Sequence, residues 1–160
     1  MKRAKVFAAV IFGLLVLAQT GFVAGSRAHA EQLKTENLPA AVQKTIAEQS
    51  KGSTVRGIST DREKGQKLYE LELTFNGRGK NLLIDKQGNI VETEEEVTLS
   101  SVPPAVKDGL MKIAGTGTIG KIESITKNGK VVAYEAIVKM GTKNREVQVG
   151  PAGNKLAHEE

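Results

Sequence analysis

Several groups of residues have the types and spacing that could do chemistry. Gly115-Thr116-Gly117-Thr118-Ile119-Gly120 spells the glycine pattern of a dinucleotide fingerprint. That pattern works where it follows a strand and opens a helix, because helix-terminal N–H groups then meet the pyrophosphate. Here a helical period precedes it and a strand period follows, so the glycines read as a helix stop and loop. Glu92, Glu94, Glu95 and Glu96 offer the hard oxygen ligands that calcium takes. No spaced Asp/Asn/Gly loop accompanies them, and neighbouring carboxylates on a strand point apart, so the run is expected to be a solvated linker. Glu70 and Glu72 share one strand face, as the acids of a glycosidase could. Such a pair needs a cleft and one desolvated acid, and the expected setting is instead the wet face of an antiparallel strand. His158 is the only histidine after residue 30, so no histidine metal pair can be built, and a lone histidine near the end of the sequence is given no catalytic role. The expectation is no catalytic residue, no metal, no cofactor and no enzyme.

The elements that carry these residues follow from periodicity. Residues 68–75 alternate, with Tyr69, Leu71, Leu73 and Phe75 on one side and Glu70, Glu72 and Thr74 on the other. Alternation of this kind marks a strand with one buried and one wet face. Residues 133–140 repeat the Tyr-Glu pair and the period, with Ile137 as the exception. Leu38, Val42 and Ile46 fall four apart, which predicts a helix from Pro39 to about Ser50, stopped by Gly52. A weaker strand is expected over 54–60. Asn76-Gly77 marks a hairpin, because both central residues of a type I′ turn need positive φ, and Gly79 could lengthen the loop. Residues 80–85 return, Lys86-Gln87-Gly88-Asn89 turns again, and Ile90-Val91 starts a short last strand.

After the acidic run the pattern restarts. Ser101-Val102-Pro103-Pro104-Ala105-Val106 matches Asn37-Leu38-Pro39-Ala40-Ala41-Val42 at an offset of 64. Asn37 and Ser101, both good capping residues, hold equivalent places. Val106, Leu110 and Ile113 give the second helix its apolar face, Asn128-Gly129 its hairpin, and Gly153-Asn154 repeats Gly88-Asn89. The chain reads as one small unit written twice. The expected fold is α+β, with two tandem repeats over residues 31–96 and 97–160, each a helix packed on a three- to four-stranded antiparallel sheet.

The ends and the composition bound the setting. Lys2, Arg3 and Lys5, an apolar stretch over 6–18 continued over 21–25, and Ala28-His29-Ala30 have the layout of a signal peptide cleaved after residue 30. A retained anchor is the alternative, since that stretch nearly spans a bilayer. The full chain carries a net charge of +5, and loss of Lys2, Arg3, Lys5 and Arg27 leaves the remainder near +1. Tyr69, Phe75 and Tyr134 are the aromatics that remain. Nothing in this balance reads as a nucleic-acid binder. The absence of cysteine excludes disulfides, thiolate metal sites and a lipoprotein anchor, leaving the apolar core to hold the fold.

These pieces together resemble the PepSY-like domain family. The resemblance is carried by Leu38-Pro39, Val42, Ile46, Tyr69-Glu70, Ile84-Asp85 and Gly88-Asn89. The second copy has Val102-Pro103, Val106, Leu110, Tyr134-Glu135, Val149 and Gly153-Asn154, with Gly150 in place of the Asp. The family is similar to the repeats of beta-lactamase inhibitory protein, which implies helical elements on an antiparallel sheet, export, and binding or inhibition of another protein. It implies no catalytic residues. That inhibitory protein has disulfides and an aromatic-rich binding face, which this chain lacks, so beta-lactamase inhibition does not carry over.

The functional expectation is an exported, periplasmic or secreted, non-enzymatic binding module, an inhibitor or regulator of a peptidase or another envelope or extracellular protein. No membrane contact is expected after signal cleavage. The expected protein-binding surface is the sheet face away from the helices: Glu70, Glu72, Thr74 and Leu83, then Glu135, Ile137, Lys139, Glu146 and Gln148. Rival readings are a small-molecule or lipid carrier with its ligand between the repeats, which needs an internal apolar pocket, and a self-assembling envelope component.

Overall fold

The computed structural model describes residues 33–63 and 65–156; the expected signal segment and His158 lie outside them. A 3-10 turn at Thr35–Asn37 leads into helix α1 (Ala40–Gln49). Strands β1 (Thr54–Glu63), β2 (Gln66–Phe75), β3 (Arg78–Ile84) and β4 (Ile90–Val97) follow. Helix α2 (Pro104–Ala114) then precedes β5 (Thr118–Lys127), β6 (Lys130–Met140) and β7 (Lys143–Val149). The strands form one antiparallel meander in the order β1-β2-β3-β4-β5-β6-β7.

The helices form where the four-residue spacing placed them, and Leu38, Val42 and Ile46 are all buried. Their starts differ from the expectation. Pro39 and Pro103 are the capping residues and neither helix has a side-chain cap. Asn37 belongs to the 3-10 turn, and Ser101 Oγ is engaged with Thr98 instead. A proline there brings an extended backbone into the first turn and has no N–H to satisfy. Gly115, at φ 59, ends α2 by donating its N–H to Met111 O. The glycine-rich stretch is thus a helix stop leading into β5. Both Asn-Gly pairs turn with positive φ, at 50 and 76 for Asn76-Gly77 and 51 and 73 for Asn128-Gly129. The first loop has only those two residues, because Phe75 pairs with Arg78 and Gly79 pairs with Thr74 inside β3.

The acidic run departs furthest from its expected setting. Residues 92–96 are strand rather than linker, and β4 pairs with β3 on one side and β5 on the other. There are not two separate sheets. A free β4 edge would leave a row of unpaired N–H and C=O groups, and β5 satisfies them. Four glutamates within five residues disfavour strand locally, and long-range pairing overrides this.

Register places both helices on the same side of the sheet. Ile58, Leu71, Leu82 and Thr93 lie in one row, and Val97, Ile122, Ala136 and Val147 continue the same face. Under α1, a buried cluster contains Val42, Ile46, Tyr69, Leu71, Leu73 and Ile84. A second cluster under α2 contains Val106, Leu110, Ile122, Ala136, Val138 and Val149. The turns after β3 and β7 pack against these helices closely enough to exclude a side chain. A Cβ at Gly88 would lie 2.7 Å from Ala41 O, and one at Gly153 would run into the Ala105 carbonyl.

Among the described residues no helix covers the other face, and the sheet coils around it. Lys127 at the end of β5 reaches Glu63 at the end of β1, with Nζ 3.5 Å from Oε1. Those strands are four places apart, about 19 Å in a flat sheet, which is beyond two side chains stretched toward each other. Coiling of a twisted sheet brings them together and makes the helix-free face concave. Leu68, Ile125 and Ala133 are buried on that face as a result.

Candidate functional site

The concave face is built from alternate residues of the strands. One row runs Ser59, Glu70, Leu83, Glu92 and Lys127. The next runs Glu72, Asn81, Glu94, Ile125 and Ala133. A third links Glu96, Glu123, Glu135 and Gln148. Each carboxylate is held by a neighbour. Ser59 Oγ donates to Glu70 Oε2 at 2.9 Å, and Arg56 Nη2 to Glu72 Oε2 at 3.1 Å. Asn81 Nδ2 donates to Glu94 Oε2 at 3.3 Å, and the Gly79 N–H to Glu96 Oε2 at 3.0 Å. Gln148 Nε2 donates to Glu135 Oε2 at 2.8 Å.

Two lysines enter this field. Lys127 Nζ stands 3.2 Å from Glu92 Oε2 as well as reaching Glu63. Lys121 Nζ stands 2.6 Å from Glu123 Oε1. That oxygen is fully covered and accepts no well-angled hydrogen bond, so the lysine serves it by charge alone.

The face changes the acidity of its own groups. Burial raises the Glu94 carboxyl to about 8, and the charges of Glu123, Glu92 and Glu135 push the same way against the Asn81 hydrogen bond. Glu70 is raised too, mainly by burial, with its Ser59 hydrogen bond opposing. Burial opposes the Lys127 charge, but Glu92 and Glu63 outweigh it and hold that ammonium above its usual range. Outside the face, Asp85 is lowered: slight burial works against the hydrogen bonds from Asn89, Gln87 and Gly88, and the hydrogen bonds win.

All nine residues expected on the helix-free face lie there by register. Glu70, Glu72, Thr74 and Leu83 fall on β2 and β3, and Glu135, Ile137, Lys139, Glu146 and Gln148 on β6 and β7. Their settings differ from a uniformly wet surface. Glu70 is 9% exposed, whereas Lys139 and Glu146 are exposed near the far edge. Sequence reasoning missed the centre of the face. Glu92, Glu94, Glu96, Glu123 and Lys127 lie between the two expected groups, on strands assigned to a linker or left without a role. The alternation Glu92-Thr93-Glu94-Glu95-Glu96-Val97 was the available signal, with Glu95 the residue that breaks it. Glu95 points to the helix side, where Lys80 Nζ lies 2.8 Å from Oε1.

Chemically the face is a negative surface with fixed partners. Among the described residues no group of three His, Cys, Asp or Glu side chains is placed to hold a metal ion.

No family model matches the chain, and no curated protein matches it. Solved structures do. A Bacteroides eggerthii protein provisionally assigned to the periplasm aligns over 74% of this chain and 86% of its own, with 18% identity and a TM-score of 0.60. A DUF2874 family protein from Bacteroides ovatus aligns over 75% and 85%, with 18% identity and a TM-score of 0.58. A BLIP-like protein from Bacteroides fragilis aligns over 77% and 85%, with 20% identity and a TM-score of 0.54. At this identity the likeness is one of fold: a BLIP-like antiparallel sheet with helices on one side.

Proposed function

We propose that this chain is an exported, non-enzymatic binding module that inhibits or regulates another exported protein, engaging a cationic surface of it with the concave face. The observation that carries the reading is a continuous helix-free face with Glu70, Glu72, Glu92, Glu96 and Glu123 across its middle, set around a Glu94 that keeps its proton to about pH 8. Charge complementarity favours a basic partner patch and steers encounter. Export is supported by the signal-like layout of residues 1–30 and by the periplasmic assignment of the Bacteroides eggerthii protein. No helix among the described residues is long and apolar enough to cross a membrane.

The two halves are inferred to be PepSY-like copies. Support comes from the motif matches at offsets of 64 and 65 and from equivalent turns. Asp85 N–H to Asn89 O and Gly150 N–H to Asn154 O are both 2.9 Å. The carrier reading draws no support from the junction, where the halves meet edge to edge through β4 and β5 rather than face to face. The test is capture from envelope and secreted fractions with the chain from residue 31 onward, beside a Glu72→Lys/Glu135→Lys variant. A protein held by the first and released by the second supports the reading; equal capture removes the face from it.

A further inference from the structure

We infer that the Glu63–Lys127 ion pair is an openable clasp that holds one end of the concave face shut over an apolar strip. This rests on the reading of that face as the partner surface and adds how access to it is controlled.

Glu63 and Lys127 occupy the same place in the two halves, the last residue of β1 and of β5, 64 positions apart. Opposite charges at equivalent positions meet across the coil of the sheet. The residues beneath are specific. Asp61, two before Glu63 on the same face, pairs with Leu68, which is 2% exposed. Ile125, two before Lys127, is also 2% exposed and pairs with fully buried Ala133. None of these three belongs to either helix-side core. They are covered on the face away from both helices, at the end where the coil brings Glu63 to Lys127.

The two arms of Lys127 are unequal. Its contact with Glu92 is 3.2 Å, joins directly paired residues of adjacent strands, and involves a glutamate side chain only 7% exposed. Its contact with Glu63 is 3.5 Å, reaches from β5 to β1, and ends on a side chain 34% exposed. A buried pair resists separation, whereas a partly exposed one is weak and screened by salt. Glu63 is therefore the arm that lets go. β1 is an edge strand pinned at Ile58 by the core under α1 and by the Leu33 N–H, so what moves on release is its end beyond Ile58. Release uncovers Leu68 and Ile125 beside Glu70 and Glu92, which gives the partner an apolar foothold flanked by carboxylates.

The experiment measures the width of the clasped end in the unliganded chain from residue 31 onward. Cysteines introduced at Arg62 and Lys130, in a chain with none of its own, carry spin labels for a distance measurement. The native pair should give one short, narrow distance at low salt. Glu63→Gln, and the unaltered pair in ~1 M salt, should broaden it and lengthen it by about one strand spacing, ~5 Å. Salt should have no further effect on Glu63→Gln. A Glu63→Gln distribution that superimposes on the native one, or a native distribution indifferent to salt, overturns the clasp. Because no partner is present, that failure leaves the binding reading standing.

Discussion

Glu94 lies directly across the β3–β4 ladder from Asn81, and the neutral amide of Asn81, at 3.3 Å, is what holds it; among the described residues no cation pairs with it. Its neighbours on the face are Glu92 and Glu96 on its own strand and Glu72, Glu123 and Glu135 across the sheet. A carboxyl so placed keeps its proton to about pH 8, against an ordinary value of 4.5.

The stability of the fold should therefore fall as pH rises between those values. In that window the folded chain holds a proton that the unfolded chain releases, so rising pH favours unfolding, and the loss is complete above about 8. Glu70 acts in the same sense. Glu94→Gln should flatten the slope and raise stability near pH 8 by about 1–3 kcal/mol. Urea unfolding at several pH values measures this. An unchanged slope in the variant would show that Glu94 is ionised in the fold.

Lys127 should matter far more to stability through Glu92 than through Glu63. Lys127→Met leaves Glu92 buried without its charge partner and should cost about 3 kcal/mol or more. Glu63→Gln weakens the partly exposed contact with Lys127 and should cost less, about 1 kcal/mol. Equal costs in denaturant unfolding would contradict the asymmetry of the two arms.

The two kinds of turn glycine should separate cleanly. Gly52 and Gly153 have nearly the same φ, 74 and 75, but Gly52 has open space around its missing side chain while Gly153 faces the Ala105 carbonyl. Gly52→Ala should cost about 1 kcal/mol, the penalty of a left-handed backbone. Gly153→Ala should cost roughly 2–3 kcal/mol beyond that, because α2 must move off the turn. Thermal unfolding of the pair measures the difference, and similar melting temperatures would refute the close packing.

Much of this fold was legible because it is local. The four-residue spacing of Leu38, Val42 and Ile46, the two Asn-Gly turns and the alternation over 68–75 each depend on neighbours in sequence. The face opposite the helices followed from that alternation, so Glu70, Glu72 and Glu135 were placed correctly. Its centre was not legible. Residues 92–96 have a composition that argues for solvent, and only the hydrogen-bonding demand of β3 and β5 makes them a strand. Nor could a charge at 63 and an opposite charge at 127 reveal contact, since that depends on how far seven strands coil. The burial of Glu70 and Glu92 depends on the same coil.

The central claim is that the partner lies on the concave face, and site-directed photo-crosslinking tests it most directly. A photoreactive residue at Glu72 sits on that face, and one at Lys107, exposed on α2, sits on the opposite side. In native envelope extracts the Glu72 position should give a discrete adduct with another protein, and the Lys107 position none. An adduct from Lys107 with none from Glu72 would contradict the account.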